Sequence, residues 1–465
     1  MFHKDEYIAR RKQLSAAFQS GILLFLGNEE SPMNFLDNAY HFRQDSTFLY
    51  YFGIPEPQLA AVIDLDENQV TLFGDEMSID AIVWMGRQKT LSAKAEEVGI
   101  TKLVPFQHLD QYLAKAKAQG RAIHFLPPYR AEHKIKLAEL LEIKPAQVKE
   151  KASISLIKAV VAQRSVKSAL EITELDKASV ISADMHLKAM QLARPGMSEN
   201  ELSAAVHQVA LTAGGQLSYP IILTVNGQIL HNHYHGNILK EGDMILNDSG
   251  AETPMGYAGD LTRTFPAGKK FLPEQRDAYN IVLHAYQEAV QTLKPGRRYI
   301  DVHYQSCLSL AEGLKTLGLM KGNLEDAVAQ GAHALFFQCG TGHMMGLDVH
   351  DMENLGEQYV GYTDELQKNT TQFGLKSLRL GKALEEGYVV TVEPGLYFIP
   401  ELIDQWQASN EFSSYINYDK VQAYRNFGGI RVEDDYVITA DGYRKLGKDL
   451  AISVEEIEEI RNTAY

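Results

Sequence analysis

Apolar positions follow two regimes along the chain. Between residues 20 and 75 they form four short runs of strand length, "GILLFLG", "STFLYYFGI", "AAVIDLD" and "VTLFGDE". The polar segments between them resemble the helices and loops of an α/β unit. From residue 164 the pattern lengthens: "RSVKSALEITELDKASVISADMHLKAMQLA" reads as one long helix that stops at Pro195-Gly196. Ser198 and Glu201 then make a capping-box pattern that opens another helix, and Gly214-Gly215 ends it. This change predicts an N-terminal α/β domain over residues 1–160 and a second domain over 161–465.

The second region repeats itself. "ARPGMSENEL" (193–202) is echoed by "LKPGRRYIDV" (293–302), with the Pro-Gly pair in register and Glu201 matched by Asp301. "LKEGDMILND" (239–248) aligns without gaps against "LEEGYVVTVE" (384–393). Each of the latter pair is an apolar strand entered through Glu-Gly and ending on a carboxylate, Asp248 or Glu393. Glu-Gly is a common turn before a buried strand, so chance would explain two short matches. The other explanation is an α/β unit duplicated about a pseudo-twofold axis, which would bring Asp248 and Glu393 together.

Further acids then gain meaning. Pro254, Met255 and Gly256 suggest a hairpin between Asp248 and Asp260, and the strand "GGIRVEDDYVIT" carries Glu433. Alternation along strands puts Arg431 and Glu433 on one face, and likewise Asp260 and Thr262. Four carboxylates converging in one cavity would raise one another's pKa values, and two divalent cations would cancel their charge. "FFQCGTGHMMGLDVHD" (336–351) adds two histidines seven apart among glycines, with no helical period to explain them. Mostly oxygen donors with one imidazole suit manganese or cobalt better than a structural zinc. "HNHYH" (231–235) would form a His-only zinc site if extended. The preferred reading turns His231 inward and leaves His233 and His235 solvated or at the edge of the site.

Composition narrows the field. A net charge of −15 argues against a nucleic-acid surface, and 45% hydrophobic residues describe an ordinary globular chain. The N-terminus "MFHKDEYIARRKQL" lacks the apolar centre of a signal peptide, and no run of about 18 apolar residues occurs. Cys307 and Cys339 are the only cysteines, too few for a disulfide framework. A cytoplasmic protein with no membrane partner is expected.

The ordered motifs resemble the metallopeptidase family of prolidase, aminopeptidase P, methionine aminopeptidase and creatinase, and the resemblance spans nearly the whole chain. "YHFRQDSTFLYYFGIPEP" looks like the N-terminal domain of the proline-specific branch, and the region from about 161 like its catalytic domain. The resemblance implies an α/β N-terminal domain followed by an α+β pita-bread catalytic domain, itself a pseudo-twofold duplication. By motif it implies two divalent metals, manganese foremost with cobalt or zinc as alternatives. Their ligands would be Asp248 in "NDSG", Asp260 in "YAGDLTRTFP", His343 in "GTGH", Glu393 in "TVEPG" and Glu433 in "IRVEDD". Asp260 and Glu433 would bridge the metals, and Glu393 would also shuttle a proton. His231 and His350 match the non-ligand histidines that hold the scissile carbonyl, and Arg431 the arginine that orients the site.

Two departures stand out: Cys339 where relatives commonly have His, and twelve residues from Asp248 to Asp260 where many have eleven. Arg379 in "GLKSLRLGKALEEG" matches an arginine that in prolidases pairs with the free carboxylate of a dipeptide. The long stretch from Gly395 to Asp435 also resembles prolidases. The resemblance therefore implies an Xaa-Pro dipeptidase acting on small peptides with proline second, as a homodimer. Aminopeptidase P, which acts on longer peptides, is the alternative, and a non-catalytic pita-bread binding protein the distant one.

Overall fold

A computed structural model of the protein describes residues 1–464; residue 465, the last of the expected second domain, lies outside them. The chain divides into two units, one of residues 1–164 with 352–359 and the other of residues 165–351 with 360 onward.

In the first unit, three of the four apolar runs are strands: β1 (Ile22–Leu26), β2 (Ala60–Asp64) and β3 (Gln69–Phe73). With β4 (Lys102–Val104) and β5 (Ile123–His124) they form a sheet of order β4-β3-β2-β1-β5. The strand β1 is apolar throughout because both its faces are covered. Ile22 and Leu24 pack with Leu109, Leu113 and Leu137 from helices Leu109–Ala118 and Ala131–Leu141. On the other side Phe25 meets Tyr51 and Phe52, with ring centroids 5.5 and 5.4 Å apart. Those two aromatics belong to the fourth run, and it is a helix, Ser46–Phe52, not a strand. Its caps explain the difference: the Asp45 carboxylate accepts from the Phe48 N–H, and Gly53 closes the helix in the left-handed region at φ 62°.

The second unit opens differently from the sequence expectation. The single helix expected from residue 164 is the end of one helix, Ile154–Ser165, and the whole of another, Ala169–Leu192. Ser168 and Glu171 form a capping box that starts the second, the same Ser-x-x-Glu signature seen at Ser198 and Glu201, where helix Glu199–Thr212 begins.

The duplication is visible in matching hydrogen bonds. Helices Ala169–Leu192 and Glu199–Thr212 flank Pro195-Gly196, while Pro273–Gln291 and Tyr299–Thr316 flank Pro295-Gly296. The Gly196 N–H donates to the Leu239 carbonyl at 2.8 Å, and the Gly296 N–H to the Leu384 carbonyl, also at 2.8 Å. Leu239 and Leu384 begin the two aligned segments, so the halves repeat in three dimensions. Both glycines have positive φ, 89° and 80°.

Short strands carry each half toward the centre. After β6 (Gln216–Leu217) come β7 (Ile222–Thr224) and β8 (Met244–Ser249), then β9 (Ala251–Glu252) and β10 (Leu261–Pro266), with a sheet of order β10-β8-β7. The second half supplies β11 (Val389–Val392), β12 (Gly395–Tyr397), β13 (Gly429–Arg431), β14 (Asp434–Ile438) and β15 (Tyr443–Lys445). A bridge between Thr262 and Glu433 joins the halves. The long connection from β12 to β13 forms helix Pro400–Ala408 and a turn that docks on residues 319–321 through Asn417 and Tyr415.

Beside that bridge Arg263 pairs with Asp434 at 2.9 Å, both side chains fully buried, and donates to the Glu433 carbonyl. Replacing Arg263 with Met leaves Asp434 with Lys445, 3.2 Å away, as its remaining cation. The expected loss is about 3 kcal/mol, the lower end for a broken buried pair. A denaturant midpoint unchanged from wild type would contradict this.

Candidate active site

His343 is placed by backbone pairing. Its N–H donates to the Thr391 hydroxyl and its carbonyl accepts from the Thr391 N–H, both at 3.1 Å, locking the loop to β11. Gly342 permits this approach, because a Cβ there would overlap the Thr391 carbonyl and the Tyr299 hydroxyl. Glu393 follows on the same strand, its N–H on the Thr341 carbonyl at 2.7 Å. The His343 Nδ1 lies 3.0 Å from the Met344 carbonyl, which can only accept, so Nδ1 carries a proton. Nε2 then points at Asp260 Oδ2 and Glu393 Oε1, 3.3 and 3.5 Å away.

The acids come from both halves. Asp248 on β8 and Asp260 just before β10 are brought side by side by the expected hairpin, where the Gly256 N–H closes on the Thr253 carbonyl at 2.8 Å. The Tyr219 hydroxyl lies within hydrogen-bond reach of both carboxylates. The Thr262 hydroxyl donates to Glu433 Oε2 at 2.5 Å and accepts from Arg431 Nε at 3.2 Å. Arg431 also donates to the Tyr397 hydroxyl at 2.7 Å and forms an ion pair with Asp248. One guanidinium thus ties an acid of the first half to the strand that carries Glu433.

All nine residues singled out in the sequence line one cavity of about 240 Å3. His343 and His350 stack edge to face with ring centroids 4.3 Å apart. Arg379 and His350 are half-buried on the wall. His231 and His233 both line the cavity although exposed, and the buried member of "HNHYH" is Asn232, held by Thr224. His235 turns to the Ile221 carbonyl, so the three histidines do not form a zinc site.

Residues 173–440 match metallopeptidase family M24, and residues 7–124 the aminopeptidase P N-terminal domain. The chain belongs to metallopeptidase family M24. It is 30% identical to the Xaa-Pro aminopeptidase of Escherichia coli over 98% of this chain and 97% of that protein. It is also 30% identical to the human Xaa-Pro dipeptidase over 97% of this chain and 91% of the relative. Among solved structures it resembles zinc-substituted E. coli aminopeptidase P in complex with product, with a TM-score of 0.81 at 30% identity, covering 100% of this chain and 99% of that one. The fold is therefore pita-bread, with the N-terminal domain of the aminopeptidase P type.

M24 enzymes use divalent metal ions, and the donor set here fits them. Ligand atoms of Asp260, His343 and Glu433 lie within 4.8 Å of one another, all three residues buried. The electrostatics show what a cation would relieve. Burial, then the neighbouring acids Asp260, Glu393 and Asp248, push the Glu433 carboxyl well above its ordinary range. Burial raises Glu393 to about 7, with Arg431 opposing the shift and Asp260 and Asp248 adding to it. Cys339, also on the wall, has its thiol pushed up to about 12 by burial and by Glu393, so it is a neutral group and no nucleophile at neutral pH.

Sequence reasoning missed Tyr219, Tyr397 and Asp435. Tyr397 could have been found by continuing the period-two pattern from Glu393 through Gly395. Asp435 accepts the Asp260 N–H at 3.1 Å and the Ser179 hydroxyl at 2.7 Å. The three successive acids of "VEDD" thus split their tasks among cavity, buried ion pair and loop anchor. Tyr219 sits in an irregular loop that offered no signal.

Glu393 at about 7 lies above the unfolded value of roughly 4.3. The folded apoprotein therefore keeps a proton that the unfolded chain has lost. The stability this confers is complete below about pH 4 and disappears as pH rises through 7. Metal-free protein is expected to lose melting temperature between pH 5 and 8, and divalent metal to restore it with release of protons. A Glu393→Gln apoprotein with the same pH slope as wild type would refute the attribution.

Proposed function

We propose that this protein hydrolyses the peptide bond preceding proline in small peptides, with dipeptides as its preferred substrates. The carrying observation is the Arg379 guanidinium on the wall of the cavity that also holds the five proposed ligands. A free carboxylate one residue beyond the scissile bond exists only in a dipeptide, and a half-buried arginine rewards it with a charge-assisted hydrogen bond.

In this reading Asp248, Asp260, His343, Glu393 and Glu433 would hold two divalent ions. Manganese is proposed because four of the five donors are hard carboxylates; cobalt or zinc would fit the same set less selectively. When bound, such a pair supplies Lewis acidity at the carbonyl and lowers the pKa of the attacking water. The protein's own groups do the rest. Although the residue is exposed overall, desolvation of its ring against the cavity wall lowers the His231 pKa, so the ring is a neutral donor at pH 7. With His350 it holds the carbonyl oxygen as negative charge develops there. Glu393 carries a proton to the proline nitrogen, which as part of a tertiary amide has none of its own. Arg431 positions Asp248 and, through Thr262, Glu433.

A second reading, removal of the first residue from longer peptides, is favoured by the extent of the likeness to E. coli Xaa-Pro aminopeptidase. The β12–β13 connection does not discriminate, since residues 398–428 contribute nothing to the cavity lining. A homodimer is also proposed, supported by the apolar helix Ile79–Met85, where Trp84 is 85% exposed. Sedimentation should then give twice the 52.0 kDa chain mass.

Asp260→Ala and Glu433→Ala are expected to abolish turnover while leaving the fold intact by circular dichroism; a variant with full activity would end the bridging assignment. Arg379→Ala should lower kcat/KM for Gly-Pro by roughly ten- to a hundredfold, the worth of one charge-assisted bond of about 1.5–3 kcal/mol. It should leave Xaa-Pro-Xaa tripeptides nearly unaffected. Faster turnover of the tripeptide than of Gly-Pro by the wild type would instead support the aminopeptidase reading.

A further inference from the structure

Behind the carboxylate centre, the second unit holds a cluster of another chemical kind. His303 and Cys307 are four residues apart on helix Tyr299–Thr316, hence on one face, and His333 comes from the short turn Ala332–Leu335. One ligand atom from each lies within 4.8 Å of the others, and all three residues are buried. No Asp or Glu belongs to the group.

His333 is the member that packing does not explain. It is 1% exposed, and neither ring nitrogen makes a hydrogen bond of normal geometry, with the Val328 backbone a polar neighbour. A buried imidazole with both nitrogens unsatisfied is costly. His303, by contrast, is oriented as metal-binding histidines are, with Nδ1 on the Thr341 hydroxyl at 2.9 Å and Nε2 facing the Cys307 sulfur. The Cys307 sulfur stands 3.5 Å from that Nε2 and 3.8 Å from Nδ1, beside the ring.

We propose that His303, Cys307 and His333 form a second, closed metal site for a thiophilic monovalent cation of the copper(I) type. Thiolate and imidazole are the donors such an ion selects, whereas the carboxylate centre selects hard divalent ions. Charge decides between copper(I) and zinc. A metal-bound imidazole is a neutral ligand, so Cys307 is the one anionic donor of the group. One thiolate then balances one positive charge, and a divalent ion would leave an uncompensated charge in the interior. On binding, the sulfur–metal bond replaces the S–H bond and the proton leaves to solvent, with no change of oxidation state.

The test is an anaerobic titration of the full chain, preloaded with manganese, with copper(I) held in a competing chelator. One equivalent of copper is expected, with thiolate-to-copper ultraviolet absorption that Cys307→Ser removes and Cys339→Ser keeps. If Cys307→Ser folds poorly, His333→Gln serves instead: at least tenfold weaker copper binding, with manganese-dependent peptide turnover unchanged. No uptake, or absorption lost only in Cys339→Ser, would overturn the site. Tight zinc retention at Cys307 without copper binding would overturn the monovalent assignment.

Discussion

Four carboxylates from two halves of a duplicated domain are held against one another, with the Arg431 guanidinium bonded directly to one of them. Everything near the centre answers to that repulsion. Arg431 sits between Asp248, Tyr397 and Thr262, and Thr262 passes the connection to Glu433. The Tyr219 hydroxyl lies between Asp248 and Asp260. These neutral and cationic partners satisfy some lone pairs, but burial first and the neighbouring acids second keep Glu393 and Glu433 protonated to unusually high pH. The same excess charge makes the site fit for divalent cations.

The acids can be held this close because they stand on strands, not on loops alone. Asp248 lies in β8, Glu393 directly follows β11, and the Thr262–Glu433 bridge fixes the separation of the halves. Below them Arg263 and Asp434 neutralise one another in full burial. An unbalanced charge at that point would add to the strain of the centre. The repeated Pro-Gly corners do the equivalent work at a distance, since Gly196 and Gly296 make the same bond to Leu239 and Leu384.

The second unit therefore separates hard and soft donors. Oxygen atoms crowd the cavity, while the Cys307 sulfur, the His303 ring and the unpartnered His333 ring lie in the buried interior. Thr341 stands between the two regions, its hydroxyl on His303 and its carbonyl on the Glu393 N–H. In the proposed function, selection for peptide length would fall to a different element again, the segment carrying Arg379, since the relatives include both kinds of enzyme.

Chemistry that depends on short motifs was legible from the sequence. The echo of "LKEGDMILND" in "LEEGYVVTVE" anticipated the duplication, and the Pro-Met-Gly turn anticipated the pairing of Asp248 with Asp260. Local capping also decided more than apolar content did: Asp45 and Gly53 make "STFLYYF" a helix, and Ser168 with Glu171 starts a helix inside a stretch read as continuous. Tyr219, Asp435 and His333 could not be read this way, since each acts through a partner 29 or more residues away or through the lack of one. The sequence by itself determined which side chains could bind and react, because donor type and period are properties of neighbouring residues. Only the tertiary structure decided which of them share a cavity, which are cancelled by a buried counter-charge and which are left unsatisfied, because those depend on distances between segments that the chain brings together only when it folds.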